Sequence, residues 1–190
     1  MPLQPKPALS FAEWLEGERA ALEGRSEFVD GEVFAMTGAS LTHNAIVTNI
    51  SGELRNQMKG RPCQVYANDV KVLIRSANAG KYPDLVALCD EPELLDERRD
   101  VLLNPSLIVE VLSNSTEAYD RGDKFAFYRQ IPSLQEYLLV SQNRVDVELF
   151  TRGTDGRWTL ADYTALTDHV PLASIDCTLA LAEVYDKLKV

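Results

Sequence analysis

The sequence has no excess of positive charge. Its 19 Lys and Arg stand against 29 Asp and Glu, a net charge of −10 with His neutral. A polyanion such as nucleic acid is usually met by a basic surface, so charge taken alone argues against that partner. Cysteine is scarce as well. Cys63, Cys89 and Cys177 are odd in number, far apart and without a C-x-x-C pair. Neither a zinc site nor a disulfide framework is expected from them, and a reducing cytoplasm is the plain reading. No apolar run approaches the roughly 20 residues of a membrane span. Met1–Pro7 lacks the apolar centre of a secretory signal. There is no glycine-rich phosphate loop, no recognisable Ser-His-Asp setting, no internal repeat and no low-complexity segment.

What is present is an ordinary globular composition, 45% hydrophobic and 25% charged over 190 residues, enough for a sizeable core in one compact unit. Much of the acidity sits in Asp90–Asp100, which reads as a solvated loop. Ser10 and Glu13 form a capping-box pattern that predicts a short helix to about Arg19. Residues 27–36 predict a hairpin turning at Asp30-Gly31. Thr42 is placed to cap a helix reaching about Lys59, with Ile46, Ile50, Leu54 and Met58 on one stripe. Gln64–Ile74 alternates like one strand. Asp84–Leu88 and Leu107–Leu112 read as central strands covered on both faces. A helix from Glu117 or Gly122 to Gln130, a strand over Glu136–Ser141, a hairpin from Val145 to Tyr163 and a closing helix over Leu179–Leu188 complete the expectation. The arrangement is α/β (α+β): a mixed central sheet flanked by helices, with extra N- and C-terminal hairpins. Residues 1–25 would carry the N-terminal helix, 26–141 the core with its site, and 142–190 the C-terminal hairpin and helix.

One feature breaks the pattern. Glu110 lies inside Leu107-Ile-Val-Glu-Val-Leu112, and a buried carboxylate costs several kcal/mol unless it is paired or binds a metal. Asp84 follows Tyr82-Pro83. Proline cannot donate to a ladder, so the strand starts here and Asp84 stands at its mouth. Two carboxylates on neighbouring strands repel unless a cation sits between them. A hard ion such as Mg²⁺, or Mn²⁺, takes one or two carboxylates and fills its shell with water and phosphate oxygens. That donor set suits phosphodiester hydrolysis. The bland alternatives are that Glu110 pairs with a basic core neighbour and that Asp84 is a structural strand-entry residue.

Pro83-Asp84 followed by Glu110 in an apolar strand resembles the PD-(D/E)XK nucleases. Glu27–Glu32, Tyr82–Asp84, Val109–Thr116, Tyr119–Lys124, Tyr128-Arg129 and Glu136–Val140 together resemble the bacterial Uma-type family of putative restriction endonucleases. The resemblance implies a restriction-endonuclease-like fold, a Mg²⁺ site at Asp84 and Glu110, and DNA as substrate. It also implies a lysine two residues after the acid, but that place is taken by Leu112. Lys124, matching the family's lysine in Asp120–Lys124, is the first candidate to replace it, holding the attacking water or stabilising charge on the phosphoryl oxygens; its bland alternative is an i, i+4 pair with Asp120 on a solvated face. Lys71 is the runner-up, in an Asp69-Val70-Lys71 acid-x-lysine pattern. Glu27 matches the family's leading glutamate and is a possible third acid. His43, near a helix start, is a candidate base or supporting residue, with helix capping as its alternative. Tyr119, Tyr128 and Arg129 are candidate DNA contacts. The readings left open are a Mg²⁺-dependent DNA endonuclease, a nuclease-fold module that binds without cutting, and a metal-dependent hydrolase of a small phosphate ester. A homodimer is the base-rate expectation, since two-fold assemblies are the commonest and duplex cleavage needs two sites.

Overall fold

The computed structural model describes residues 9–190, so the expectation for Met1–Pro7 lies outside the described residues. The chain opens with α1 (Phe11–Ala20), whose capping box forms as expected: Ser10 Oγ accepts the Glu13 N–H, and the Glu13 carboxylate accepts the Ser10 N–H. Trp14 and Leu15 are its buried face. Next come β1 (Ser26–Val29) and β2 (Glu32–Ala35), paired antiparallel around Asp30 and Gly31. Both turn residues have positive φ, 43° and 96°, which a two-residue hairpin turn matched to strand twist requires. α2 (Leu41–Gln57) is capped by Ser40 rather than Thr42, and buries Ile46, Val47, Ile50 and Leu54.

The expected single strand over Gln64–Ile74 is two strands, β3 (Gln64–Ala67) and β4 (Lys71–Ile74). Asn68 and Asp69 between them adopt φ of 54° and 62°, a left-handed break that asparagine and aspartate tolerate, and it sends the two halves into different sheets. β5 (Ala79–Lys81), β6 (Leu85–Leu88), β7 (Val101–Leu102) and β8 (Leu107–Leu112) follow. A helical stretch then runs through α3 (Glu117–Tyr119), a wide π turn at Asp120–Lys124, and α4 (Phe125–Tyr128). β9 (Glu136–Ser141), β10 (Val147–Arg152), β11 (Trp158–Tyr163), β12 (His169–Leu172) and β13 (Cys177–Ala180) lead to α5 (Leu181–Val184). The closing helix is thus one turn long instead of spanning 179–188. Residues 177–180 pair with β12, so Leu179 faces Val170 across a ladder rather than riding a helix.

The sheets are mixed. One has the order β2-β1-β5-β4-β7, the second β11-β10-β9-β8-β6-β3, and β12-β13 stand as a pair. The six-stranded sheet is covered on both faces, which explains the continuous apolar runs of β6 and β8. Leu107, Val109 and Val111 pack with Ile46, Ile50 and Leu54 of α2 and with the C-terminal segment. Ile108 and Leu112 pack on the other face with Tyr128, Tyr137 and Ile74. Glu110 belongs to that second face by strand alternation. Gly80 in β5 is required by close approach: a Cβ there would lie 2.5 Å from the Trp14 ring, so α1 lies directly on the strand that leads to Asp84. Among the described residues no helix is long and apolar enough to cross a membrane.

The cysteines depart from expectation. Cys63 and Cys89 form a disulfide. They flank the Gln64↔Leu88 pair of β3 and β6, so the antiparallel register sets them opposite each other although 26 residues separate them in sequence. Cys177 is free and buried.

Candidate active site

The register of β6 against β8 pairs Leu85 with Val109 and Val86 with Ile108. One step further sets Asp84 across from Glu110, on the same face by alternation. Asp84 is held at both oxygens: Oδ2 accepts the Val111 N–H at 2.7 Å, and Oδ1 lies 3.0 Å from His43 Nε2. His43 sits in the first turn of α2, where its backbone N–H also donates to the capping Ser40. The Asp84 side chain is 21% exposed and that of Glu110 4%, so Asp84 stands at the mouth and Glu110 beneath it.

Glu110 does have a basic neighbour. Lys124 Nζ lies 2.9 Å from its Oε1, and the Tyr128 hydroxyl donates to the same oxygen at 2.9 Å. Oε2 has no hydrogen-bond donor among the described residues. Lys124 Nζ also lies 3.5 Å from Glu27 Oε1 and 3.5 Å from Asp120 Oδ1. The i, i+4 pair with Asp120 is therefore real, but buried rather than on a solvated face. The π turn brings both residues inward; such one-turn insertions are frequent where a helix serves a site.

Glu27 in turn bridges two ammonium groups. Its Oε2 accepts from Lys81 Nζ at 3.0 Å, and Oε1 also accepts the Tyr82 N–H. Lys81 is fully buried, donates to the Tyr119 hydroxyl at 2.5 Å and lies over the rings of Tyr119 and Phe127. Neither Lys81 nor Tyr119 carries a mark that assigns this contact from sequence. The one available signal for Lys81 is its place two residues before Pro83-Asp84, at the end of a short strand. Asp120 and Tyr128 lay within recognised motifs, but nothing in the sequence set them on Lys124 and Glu110.

The electrostatics follow from burial. Burial pushes the Glu110 carboxyl well above its usual range; nearby Lys124 opposes this, while Asp84 and Asp120 add to it. Burial also raises Asp120, again against Lys124. For Lys124, burial favours the neutral form, but the carboxylates of Glu110, Glu27 and Asp120 outweigh it and hold the ammonium charged. Lys81 is lowered by burial, with Glu27 opposing. Fully ionised, Asp84, Glu27, Glu110 and Asp120 exceed Lys81 and Lys124 by two negative charges. One divalent cation would balance that excess, and the donors present are the hard oxygens Mg²⁺ and Mn²⁺ prefer. Among the described residues no group of three or more His, Cys, Asp or Glu is gathered as a metal cluster. Asp84 and Glu110 would hold such an ion with water and substrate oxygens completing its shell.

The other sequence candidates lie elsewhere. Lys71 pairs with Asp100 at 3.1 Å, because β4 belongs to the other sheet. Asp69 pairs with Arg25 at the surface. Asp96 and Asp100, in the stretch read as a solvated loop, bind Arg19 of α1. Leu112, where the resemblance implies lysine, is a buried core residue.

These elements define a mixed α+β fold of the nuclease type. A crystal structure of a putative nuclease belonging to DUF820 from Anabaena variabilis superposes with a TM-score of 0.74 over 93% of this chain and 97% of that one, at 14% identity. The family model described as "Putative restriction endonuclease" (Uma2) matches residues 11–182, and the chain belongs to that family. Two uncharacterized proteins of Synechocystis sp. are similar to it. One is 37% identical over 97% of this chain and 95% of its own length. The other is 38% identical over 81% of this chain and 86% of its own length.

Proposed function

We propose that this chain hydrolyses DNA phosphodiester bonds with the help of one divalent cation, Mg²⁺ or Mn²⁺, held by Asp84 and Glu110. The observation that carries the reading is the pairing of these two carboxylates on one sheet face with a buried ammonium, Lys124, 2.9 Å from Glu110. The ion would polarise the phosphoryl group and lower the pKa of a bound water. The chain's own residues do the rest. His43 and the Val111 N–H fix the rotamer of Asp84. Lys124 presents a positive charge toward the place where negative charge builds on phosphoryl oxygen, the role expected of the lysine absent at 112. Glu27 and Asp120 hold that ammonium from behind, and Lys81 anchors Glu27.

The test is cleavage of single- and double-stranded DNA by the purified chain with Mg²⁺ or Mn²⁺. Wild type should cut, and Asp84→Asn and Glu110→Gln should lose about 100-fold or more. A wild type that cuts nothing, or variants that cut equally well, would remove the reading. A binding module without catalysis is the second reading. It is favoured by Leu112 in the lysine's place and by the Lys124–Glu110 contact, which already satisfies one oxygen of the acid.

A further inference from the structure

The rim around Asp84 differs from the rest of the surface. β8 and β9 run parallel and end together at Leu112 and Ser141, and β6 begins at the same end with Asp84 beside it. Three segments meet there: 37–40 before α2, 113–116 after β8, and 141–143 at the end of β9. A quarter of the whole chain is charged, yet these eleven residues include no Asp, Glu, Lys or Arg. They are Thr-Gly-Ala-Ser, Ser-Asn-Ser-Thr and Ser-Gln-Asn. The acidic stretch 90–100 leaves the opposite end of β6, after Cys89, so its six carboxylates and two arginines lie away from this mouth.

The loops are tied to one another by side chains. Ser40 Oγ donates to Gln142 Oε1 at 2.6 Å. Asn143 Nδ2 donates to Asn114 Oδ1 at 2.6 Å. Within the second loop, Ser113 Oγ meets Thr116 Oγ1 at 2.9 Å. The bookkeeping of donors and acceptors is one-sided. The ties consume the amide oxygens of Gln142 and Asn114 and leave their NH₂ groups, Nε2 and Nδ2, without an acceptor among the described residues. An amide nitrogen is donor only. Two open donors on loops cross-linked to neighbours, beside a carboxylate pair suited to a metal, suit an anionic oxygen. Phosphate oxygens of nucleic acid are commonly contacted by Asn, Gln and Ser as well as by Lys and Arg. Arg144, the nearest cation in sequence on this side, is already paired with Asp146.

We infer that Gln142 and Asn114, on this uncharged rim, are the docking surface for the phosphate backbone of the DNA substrate, gripping it through neutral donors rather than through counter-charge. The inference rests on the nuclease reading above and specifies which surface takes the substrate. Neutral contacts displace few condensed counterions, so binding should depend weakly on salt. With one phosphate neutralised the slope is about −0.9, an affinity loss of roughly 4-fold between 50 and 200 mM salt, against ~10³-fold or more for six or more ionic contacts.

The experiment is fluorescence anisotropy of a fluorescein-labelled 20-base-pair duplex titrated with the full chain in EDTA, at both salt concentrations. It is run for wild type and for Gln142→Ala/Asn114→Ala, with cleavage and Mn²⁺ binding measured on the same preparations. Neither side chain is buried, so the double variant should fold normally. The expected result is a shallow salt slope, binding weakened about 10-fold or more in the double variant, and Mn²⁺ affinity unchanged. Wild type that cleaves, with a steep salt slope or with a double variant that binds equally well, overturns the rim and leaves the nuclease reading standing. Loss of Mn²⁺ binding in the double variant also overturns it, because the residues would then act through the carboxylate pocket. Wild type that neither binds nor cleaves DNA overturns both.

Discussion

Arg19, Lys71, Asp96 and Asp100 form one ionic cluster of this chain, and Lys81, Lys124, Glu27, Glu110 and Asp120 form another. The first ties α1 and β4 to the 90–100 segment near the surface, with Arg19 Nη2 2.9 Å from Asp96 and Lys71 Nζ 3.1 Å from Asp100. There the hydrogen bond from Arg19, aided by Lys71, outweighs partial burial and brings Asp100 down to about 2. The second lies between the sheets and the π turn, and its acids move the other way: Glu110 and Asp120 are raised by burial despite Lys124. The ingredients are the same, and solvent is the difference. A cluster that keeps some water satisfies its charges. A buried one with acid in excess retains an electrostatic cost, and such costs collect at functional sites more often than elsewhere.

The inner cluster depends most on Lys124. Lys124→Met removes the ammonium shared by three buried carboxylates and should destabilise the fold by about 3–5 kcal/mol in urea denaturation. Adding Glu110→Gln should restore part of that loss. A neutral Lys124→Met would mean that the inner cluster is not held by charge. In the outer cluster Asp100→Asn should cost less, on the order of 1–2 kcal/mol after allowance for solvent screening. The pH dependences should have opposite signs. Asp100 has a depressed pKa, so its contribution is present above its ordinary value of 3.8 and lost as pH falls through about 2. Glu110 has a raised one, so its contribution is present below 4.5 and lost as pH rises through its folded value. Melting temperatures of wild type and Glu110→Gln at several pH values should show wild type losing ground as pH rises above about 4.5. If the difference is flat, Glu110 is not raised by burial. The smallest effect belongs to Asp69. Its pair with Arg25 is about half exposed on both sides, so Asp69→Ala should shift stability by less than about 0.5 kcal/mol and leave DNA cleavage at the wild-type rate. A large loss of cleavage would return Asp69 to the site.

Much of the site's frame was legible because strands write their burial directly into sequence. The apolar runs around Glu110 and after Asp84 marked two covered strands, and Pro83 fixed where the second begins. Asp30-Gly31 marked its hairpin by turn chemistry. Lys124 is singled out by the family resemblance of the Tyr119–Lys124 segment, and the structure sets it 2.9 Å from Glu110. What escaped are contacts between elements that no local pattern records. Lys81 meets Glu27 across the β1–β5 pairing and Tyr119 from a helix 38 residues on. Cys63 and Cys89 meet because of a strand register. Lys71 is the runner-up because Asp69-Val70-Lys71 reads as an acid-x-lysine pattern on a strand running on past Asn68-Asp69. The left-handed backbone there turns β4 into the other sheet.

In the function proposed above, Asp84 and Glu110 hold one divalent cation between them. A Mn²⁺ titration of the metal-free chain, followed by the electron paramagnetic resonance signal of free Mn²⁺, tests it without reference to any substrate. Wild type should bind one ion per chain, and Asp84→Asn and Glu110→Gln should each abolish that binding or weaken it at least 10-fold. No bound ion in wild type, or binding that survives both substitutions unchanged, would contradict it.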